Sequence, residues 1–505
     1  MIVQTVLQPR VMFMIMLNDM QLLAAANEHH CVFIDAIPGS GKTVVAVERF
    51  GIARYVGDDE RGVLAIAFNV AAVALLKSRI QDRWGSACLS FPHNVCTFDR
   101  AYRELIHFLI LHKHISWSSS YVELDVREDY RDCPGYRDDV NVSFRLSLDS
   151  SHKIIVVRER ANGGRSSSGF ESLDAMWDIV RFGVISYDDL HSLIDCVRQD
   201  QQLSLSVTDW LRRCYRSIIV DEAYDMNLNI LWFLDRCFEA GLDITIVGDP
   251  WQSLYRWRDA VPELIKQYVE EPSRRFVKYA LDRSYRFESS EQTQRVTDLR
   301  EGGVLSLENG VSADVDVVLA SQWSSLWHLG NNVVPLSFGK VVGYASAVCC
   351  LLLNELTLRH FGLTSPHFDD AVRVLKLSPE GLERFNEAIV APVLSHLEIG
   401  GDVDADLIQR IESDCLRSGF LSKELDGNGR AQLAADLRSL SLRLQRGDLV
   451  PGMTVNQAKG REWDRVGVWF SKLPEVLDIS KEYHRKIYVA VTRSRFSTCL
   501  LKKIP

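Results

Sequence analysis

The stretch CVFIDAIPGSGKT, which runs from Cys31 to Thr43, contains the signals that decide the fold of this chain. Residues 31–35 form a short apolar run, which predicts a buried parallel strand. A Gly-rich loop follows, and Lys42 and Thr43 then open a predicted helix. A strand, a Gly-rich loop and a helix that begins with Gly-Lys-Thr are together typical of a phosphate-binding loop. The stretch therefore predicts an α/β fold that binds a nucleoside triphosphate.

The loop offers the groups that a triphosphate needs. Backbone N–H groups and the helix N-terminus surround the phosphate oxygens in such loops. Lys42 would reach the β- and γ-phosphates, and Thr43 would bind Mg²⁺ through its hydroxyl. The loop itself consists of Ala36, Ile37, Pro38, Gly39, Ser40 and Gly41, with Ala36 where a glycine is usual. The alternative interpretation is a Gly/Ser turn that binds nothing.

Length and composition describe an ordinary soluble protein. The chain has 505 residues, which is too long for one core and predicts two to four domains. Its apolar fraction of 47% and charged fraction of 25% are typical of globular proteins. The net charge of −9 argues weakly against nucleic acid as a partner, although an acidic protein can still carry a basic groove.

Cysteine usage and hydropathy indicate the compartment. The eleven cysteines contain no C-x-x-C pair, so the sequence predicts no zinc site, and we expect reduced thiols in a cytoplasmic protein. The apolar N-terminus is interrupted by Arg10 and is too short to span a bilayer. No other apolar run is long and uncharged enough, so we expect no membrane partner.

A second stretch, RSIIVDEAYD at 216–225, places two carboxylates after a buried strand. Ligands of open α/β sheets bind at the carboxyl ends of the strands. Asp221 at this end suits Mg²⁺, and Glu222 suits the polarisation of an attacking water. Acidic pairs are common on surfaces, and the preceding apolar strand is what makes this pair informative.

A third stretch, LDITIVGDPWQSLYRWRDA at 242–260, is a predicted strand followed by a loop rich in polar and aromatic groups. Gln252 can position water or detect a γ-phosphate. Tyr255 and Trp257 lie beside Arg258, and aromatic residues interleaved with arginine suit stacking on unpaired bases. The alternative is a core tryptophan with a surface arginine.

Three further residues have both an ordinary and a functional interpretation. Gln21, on a predicted helix upstream of the loop, is either solvent-facing or able to contact the edge of an adenine. Phe68, at the end of a second predicted strand, is either core packing or a base-stacking platform. Thr97 lies at the end of a third short predicted strand.

The ordered series of motifs resembles UvrD/Rep-like superfamily 1 DNA helicases. The series is LNDMQ, AIPGSGKT, LAIAFN, VCTF, IIVDEAYD, IVGDPWQSLYRWRDA, LDRSYR, TVNQAKGREWDRV and YVAVTRSR. It extends from residue 17 to residue 495, and the order of nine motifs is far more specific than any one of them.

The resemblance implies two RecA-like P-loop domains with ATP in the cleft between them, each interrupted by a mostly helical insertion. The first core would comprise residues 1–100 and 206–283, with an inserted subdomain at 101–205. The second core would comprise residues 284–360 and 449–505, with a short insertion at 361–448.

The resemblance also implies roles for individual residues. Lys42, Glu222, Gln252, Arg286 and Arg493 would be catalytic, with the two arginines stabilising the transition state and Gln252 coupling the γ-phosphate to the DNA site. Thr43 and Asp221 would hold Mg²⁺. The remaining ATP contacts would come from the loop at 36–43 and from Gln21 and Tyr285 at the adenine and Glu462 at the ribose. The single-stranded DNA path would be lined by Phe68, Thr97, Tyr255 and Trp257.

Two functions follow from these observations. The first is an ATP-driven motor on single-stranded DNA with the 3′-to-5′ direction of the family, in repair or replication restart. The second is a nucleotide-gated DNA-sensing subunit that works with a partner nuclease in anti-phage defence, as the compact helicase subunit of Gabija does. The second is motivated by the short insertion and by departures from the family pattern at Asp99, Arg100 and Asn456 and in the stretch VVLAS at 317–321.

Overall fold

The chain divides into two units, each organised around a parallel β-sheet. The computed structural model describes residues 17–57, 59–131, 133–140, 142–160, 167–254 and 262–503. Among these, the first unit comprises residues 17–249 and 262–284, and the second comprises residues 250–254 and 285–503. Tyr255 and Trp257 lie outside the described residues.

The first unit alternates helices with mostly short strands. Its helices are α1 (Asp19–Ala26), α2 (Lys42–Val56), α3 (Val70–Trp84), α4 (Phe98–Leu111), α5 (Leu173–Val180), α6 (Tyr187–Gln199), α7 (Gln201–Cys214), α8 (Leu228–Glu239) and α9 (Pro262–Glu270). Its strands are β1 (Cys31–Ala36), β2 (Gly62–Ile66), β3 (Asn94–Cys96), β4 (Asp125–Arg127), β5 (Tyr136–Val140), β6 (Val142–Leu148), β7 (Ile154–Arg160), β8 (Ser167–Phe170), β9 (Val184–Ser186), β10 (Tyr215–Val220), β11 (Asp243–Gly248) and β12 (Val277–Leu281).

The sheet of the first unit places several strand ends at one edge. In the described residues, six parallel strands pair in the order β12-β1-β11-β10-β2-β3. Strands that are covered on both faces are nearly continuously apolar, and all five residues of β2 are buried. Because the strands are parallel, the segments that follow β1, β10, β11 and β12 leave the sheet at the same edge.

The segment between α4 and α7 packs on this sheet through a shared core. It contains a parallel pair, β4 with β9, and two antiparallel pairs, β5 with β8 and β6 with β7. Leu146 of β6 and Leu193 of α6 are buried in the same hydrophobic cluster as Ile218 of β10. The segment is therefore continuous with the core of the first unit.

The second unit combines a parallel sheet with a group of helices. Its helices are α10 (Ser290–Arg300), α11 (Trp323–Leu326), α12 (Tyr344–Phe361), α13 (Phe368–Val374), α14 (Pro379–Phe385), α15 (Ala391–Glu398), α16 (Ala405–Arg417), α17 (Gly427–Leu444), α18 (Val455–Ala458) and α19 (Glu482–Val491). Its strands are β13 (Glu308–Asn309), β14 (Val317–Ala320), β15 (Val333–Pro335), β16 (Val450–Thr454), β17 (Trp463–Trp469) and β18 (Ser494–Leu500).

The strands of the second unit pair in the order β13-β18-β17-β14-β16-β15, and every pairing between described strands is parallel. Helices α12 to α17 surround a separate hydrophobic cluster that includes Leu352, Phe385 and Leu437. In the described part of the chain, no helix combines the length and the apolar character that a bilayer span requires.

Candidate nucleotide-binding site

The predicted phosphate-binding loop is formed by residues 37–41, between β1 and α2. Gly39 and Gly41 have φ angles of 75° and 84°, which L side chains rarely adopt, so both glycines are needed for this turn. Helix α2 begins at Lys42, and no side chain of the described residues hydrogen-bonds to its N-terminus at the Gly41 cap. The first N–H groups of α2 and the positive end of its dipole are thus arranged for an anion.

Gln21 of α1 packs against this loop and donates a hydrogen bond to it. Its Nε2 donates a hydrogen bond of 2.9 Å to the carbonyl oxygen of Ser40, while its Oε1 accepts from the backbone N–H of Asn18 at 3.0 Å. The side chain is 4% exposed. A Cβ atom added to Gly41 would lie 2.5 Å from Gln21 Nε2. The carboxamide is therefore packed against the loop and holds it by a specific hydrogen bond.

The other end of the loop is tied to β12. Ile37 donates its N–H to the carbonyl of Leu281 at 3.1 Å, and the hydroxyl of Ser284 donates to the carbonyl of Pro38 at 2.8 Å. Sequence reasoning did not single out Ser284, because a serine in LDRSYR has no distinctive signal. Its contribution depends on β12 pairing with β1, which only the folded sheet reveals.

The first unit brings together Lys42, Thr43, Asp221 and Glu222. The Thr43 hydroxyl donates to Asp221 Oδ2 at 3.4 Å, and the N–H of Glu222 donates to Asp221 Oδ1 at 2.9 Å. Burial raises the pKa of Asp221 to about 6, and the charge of Glu222 adds to this, while the charge of Lys42 opposes it. A buried carboxylate beside a hydroxyl provides the hard oxygen donors that Mg²⁺ prefers, so these residues fit that ion.

Glu222 has an unusual backbone conformation. Its φ of 60° and ψ of 39° lie in the left-handed region, which is costly for a residue other than glycine. The strain occurs directly after β10, at the carboxyl edge of the sheet, and strain of this kind is frequent at functional sites. The Glu222 side chain is half-buried.

In the second unit, two hydrogen bonds hold the Arg286 side chain. Its Nε donates to Glu462 Oε2 at 2.9 Å, and its Nη1 donates to the carbonyl of Thr492 at 2.9 Å. The Arg286 side chain is 12% exposed and that of Glu462 is 47% exposed. Tyr285, the neighbouring residue, is half exposed. Three predicted ATP contacts, Tyr285, Arg286 and Glu462, are thus close to one another in the second unit.

Arg493 and Gln252 form a buried pair within the second unit. Arg493 Nη2 donates to Gln252 Oε1 at 3.0 Å, and Arg493 Nε donates to the carbonyl of Val489 at 3.0 Å. Both side chains are almost fully buried, at 1% and 3% exposure. Two residues that are 241 positions apart, and that sequence reasoning assigned to different motifs, are therefore direct hydrogen-bond partners.

The residues predicted to line a DNA path have mixed surroundings. Phe68 is half-buried, with its ring centroid 5.4 Å from that of Phe98 in an edge-to-face contact. The Thr97 hydroxyl accepts the N–H of Arg100 at 3.3 Å and caps α4. The two further predictions, Tyr255 and Trp257, fall outside the described residues.

Two family models match parts of the chain. Residues 20–258 match a family model described as an AAA domain, and residues 452–498 match one described as a UvrD-like helicase C-terminal domain. No curated protein matches the chain. Together with the two parallel sheets, the matches establish an α/β fold with two RecA-like domains.

The solved structures that match include "Complex structure of Arterivirus nonstructural protein 10 (helicase) with DNA". The sequence identity to that chain is 9%, and the TM-score is 0.30. The match covers 96% of this chain and 62% of the arterivirus chain, so the present chain spans less than two thirds of that neighbour's length.

Proposed function

We propose that the chain hydrolyses ATP and uses the energy to move along single-stranded DNA and to separate strands, in the 3′-to-5′ direction that its resemblance to UvrD/Rep-like helicases implies. The observation that carries the proposal is the phosphate-binding loop at the N-terminus of α2 together with Asp221, which lies 3.4 Å from the Thr43 hydroxyl. The match of residues 452–498 to a UvrD-like helicase C-terminal domain supports the motor rather than another ATPase.

In the proposed reaction, a water oxygen bonds to the γ-phosphorus of ATP while the bond from that phosphorus to the β–γ bridging oxygen breaks. Glu222 accepts a proton from the attacking water, and the Lys42 ammonium offsets negative charge on the β- and γ-phosphates. Thr43 and Asp221 would hold Mg²⁺ through their hydroxyl and carboxylate oxygens. When bound, Mg²⁺ neutralises phosphate charge.

The second unit would supply the groups that respond to the γ-phosphate. Arg286 and Arg493 are proposed to stabilise the charge of the transition state, and Gln252 to pass the state of the γ-phosphate to the DNA site. The hydrogen bond from Arg493 to Gln252 supports this division, because a change at either residue must alter the other. Tyr285 is proposed to stack on adenine, Gln21 to contact its edge and Glu462 to contact the ribose.

Single-stranded DNA is proposed to contact Phe68, Thr97, Tyr255 and Trp257. Stacking of one base on an aromatic side chain is worth about 1–3 kcal/mol, so a few such contacts hold a strand without sequence preference. Trp257→Ala should reduce the stimulation of ATP hydrolysis by DNA and leave the basal rate unchanged. Unchanged stimulation would remove Trp257 from the proposed path.

A second candidate is a nucleotide-gated DNA-sensing subunit that acts with a nuclease and separates strands weakly by itself, as in the Gabija setting. One observation favours it. Where helicases of this family usually have Thr-Phe-His-Ser, Thr97 caps α4, Asp99 Oδ1 lies 2.7 Å from His191 Nε2, and Arg100 pairs with Glu104 at 3.2 Å. These contacts occupy side chains within the first unit. Efficient strand separation by the purified chain alone, without a nuclease partner, would exclude this candidate.

The proposed function is tested by steady-state ATP hydrolysis with and without single-stranded DNA. We expect DNA to stimulate turnover, and we expect Lys42→Ala and Glu222→Gln to abolish it while the protein stays folded. Lys266→Ala, at an exposed lysine of α9, is the matched control and should leave both rates unchanged. Turnover retained in Lys42→Ala would refute the assignment of the phosphate-binding loop.

A further inference from the structure

Helix α19 contacts the segment Pro250–Leu254 at two points, and Arg493, which follows the helix, contacts it at a third. Arg485 Nε donates to the carbonyl oxygen of Ser253 at 2.7 Å. The rings of Tyr488 and Trp251 pack with centroids 5.0 Å apart. Just beyond the helix, Arg493 donates to Gln252. Three consecutive residues of the segment, 251–253, are therefore fixed by α19 and Arg493.

The segment has an unusual position in the chain. One residue, Asp249, separates it from β11, which is a strand of the first sheet, yet its contacts group residues 250–254 with the second unit. Trp251 and Leu254 are buried in the hydrophobic cluster of the second sheet. The side chains that fix the segment consequently determine where Gln252 points.

Burying the Arg485 guanidinium costs desolvation free energy, which only its hydrogen bonds can offset. It is 1% exposed, and its Nη1 also donates to the carbonyl of Ile479 at 2.6 Å. A buried guanidinium loses its hydration, and an apolar side chain would fill the same volume without that loss. Its rigid planar geometry, in contrast, can hold two carbonyl groups at fixed positions. The side chain therefore fits a role in orientation better than a role in filling space.

We propose that Arg485 is a positioning residue for ATP hydrolysis, which holds Ser253 so that the Gln252 carboxamide faces Arg493. The proposal rests on the proposed function, because it assigns Arg485 to the groups that respond to the γ-phosphate. Arg485 acts through Gln252 and needs no contact with nucleotide or DNA. Without the guanidinium, Ser253 loses its hydrogen bond to Arg485, and the segment Pro250–Leu254 can adopt several conformations. The Gln252–Arg493 hydrogen bond then forms in only some of them.

The chain offers a matched control in Arg443. This arginine of α17 is 2% exposed and lies in the same unit. It donates to the carbonyls of Val333 at 2.6 Å, Ser439 at 2.7 Å and Trp327 at 2.8 Å. Arg443→Met thus removes an equally buried guanidinium that also binds backbone carbonyls, but at a place unrelated to Gln252.

The first measurement is amide hydrogen exchange of residues 251–254 in the full-length, nucleotide-free chain. We expect Arg485→Met to raise exchange there at least ten-fold, Arg485→Lys to raise it less because one carbonyl contact can remain, and Arg443→Met to leave it unchanged. Unchanged exchange in Arg485→Met, or an equal rise in Arg443→Met, would overturn the proposal. If Arg485→Met does not fold, the comparison of Arg485→Lys with Arg443→Lys decides the same question.

The second measurement is the kinetic consequence. We expect Arg485→Met to lower the DNA-stimulated kcat about ten-fold with the KM for ATP changed less than two-fold, and to cause no further loss in a Gln252→Ala background. Multiplicative losses in the double variant would show that Arg485 does not act through Gln252 and would overturn the proposal. A wild-type chain without ATP turnover would refute the proposed function, and the exchange comparison would still decide whether Arg485 holds the segment.

Discussion

Gly41→Ala should destabilise the nucleotide-free chain by more than its backbone conformation alone explains. Gly41 has a φ of 84°, and an L residue in the left-handed region costs about 1–2 kcal/mol. The new Cβ would also lie 2.5 Å from Gln21 Nε2, so the Gln21 carboxamide must move away from the Ser40 carbonyl. One buried hydrogen bond contributes about 0.5–1.5 kcal/mol. The expected total loss is about 1.5–3.5 kcal/mol.

Gly241→Ala separates the two contributions. Gly241 belongs to the same unit and has a φ of 78°, but nothing lies within 4 Å of the added Cβ. It should therefore carry the backbone cost alone, about 1–2 kcal/mol. The difference between the two variants, about 1 kcal/mol, estimates the Gln21–Ser40 hydrogen bond.

The assay is equilibrium urea unfolding of both variants, each in the wild-type and in a Gln21→Ala background. With Gln21 shortened, no side chain opposes the new Cβ, and Gly41→Ala should cost no more than Gly241→Ala. Equal losses for the two glycine variants in the wild-type background would refute the reasoning, because the hydrogen bond to Ser40 would then contribute nothing. A difference that persists without Gln21 would assign the effect to another neighbour.

Three further predictions concern residues of the first unit. Gln21→Ala should weaken binding of GTP about five- to ten-fold, because the lost bond to Ser40 supports the loop whichever base is present. Binding of ATP should weaken at least as much, because the proposed contact with the adenine edge is lost as well. Equilibrium binding of fluorescent analogues of both nucleotides measures this, and a loss confined to ATP would contradict the role of the bond to Ser40. Burial lowers the pKa of His93 from 6.5 to about 4, so the unfolded chain binds more protons than the folded chain between these pH values. The free energy of unfolding should therefore fall as the pH drops through this window. His93→Gln should flatten that part of the plot of unfolding free energy against pH, and an unchanged slope would contradict the argument. Arg49→Met should raise amide hydrogen exchange in α1, because Arg49 donates hydrogen bonds to carbonyl groups at the end of that helix. Exchange that rises equally throughout the first unit would contradict this and indicate general destabilisation.

The strand, the glycine-containing turn and the helix at 31–56 could be predicted from the sequence because every signal for them is local. The apolar run at 31–35 became β1, and the Gly-Lys-Thr at 41–43 opens α2. The strand before Asp221 is equally clear, since Ile218, Ile219 and Val220 form the short apolar run that is expected of a buried parallel strand. Fold class and the two carboxylates thus follow from short segments and from one general rule about sheet edges.

Thr97 shows where local signals are ambiguous. The run VCTFDR at 95–100 predicted a strand that ends near Thr97, whereas β3 ends at Cys96 and α4 begins at Phe98. A threonine hydroxyl favours both a strand and the cap of a following helix, and the sequence alone does not rank the two. Packing decides it, because Phe98, Leu105 and Leu109 of α4 are all buried in the core of the first unit.

The segment Pro250–Leu254 shows the limit for contacts between distant residues. Its place in the sequence assigned it to the first core, at 206–283, whereas its contacts group it with the second unit. The partners responsible are 232 positions away for Ser253 and 241 for Gln252. An arginine near the end of a chain has many possible partners, and nothing in its neighbourhood indicates which backbone carbonyl it will bind.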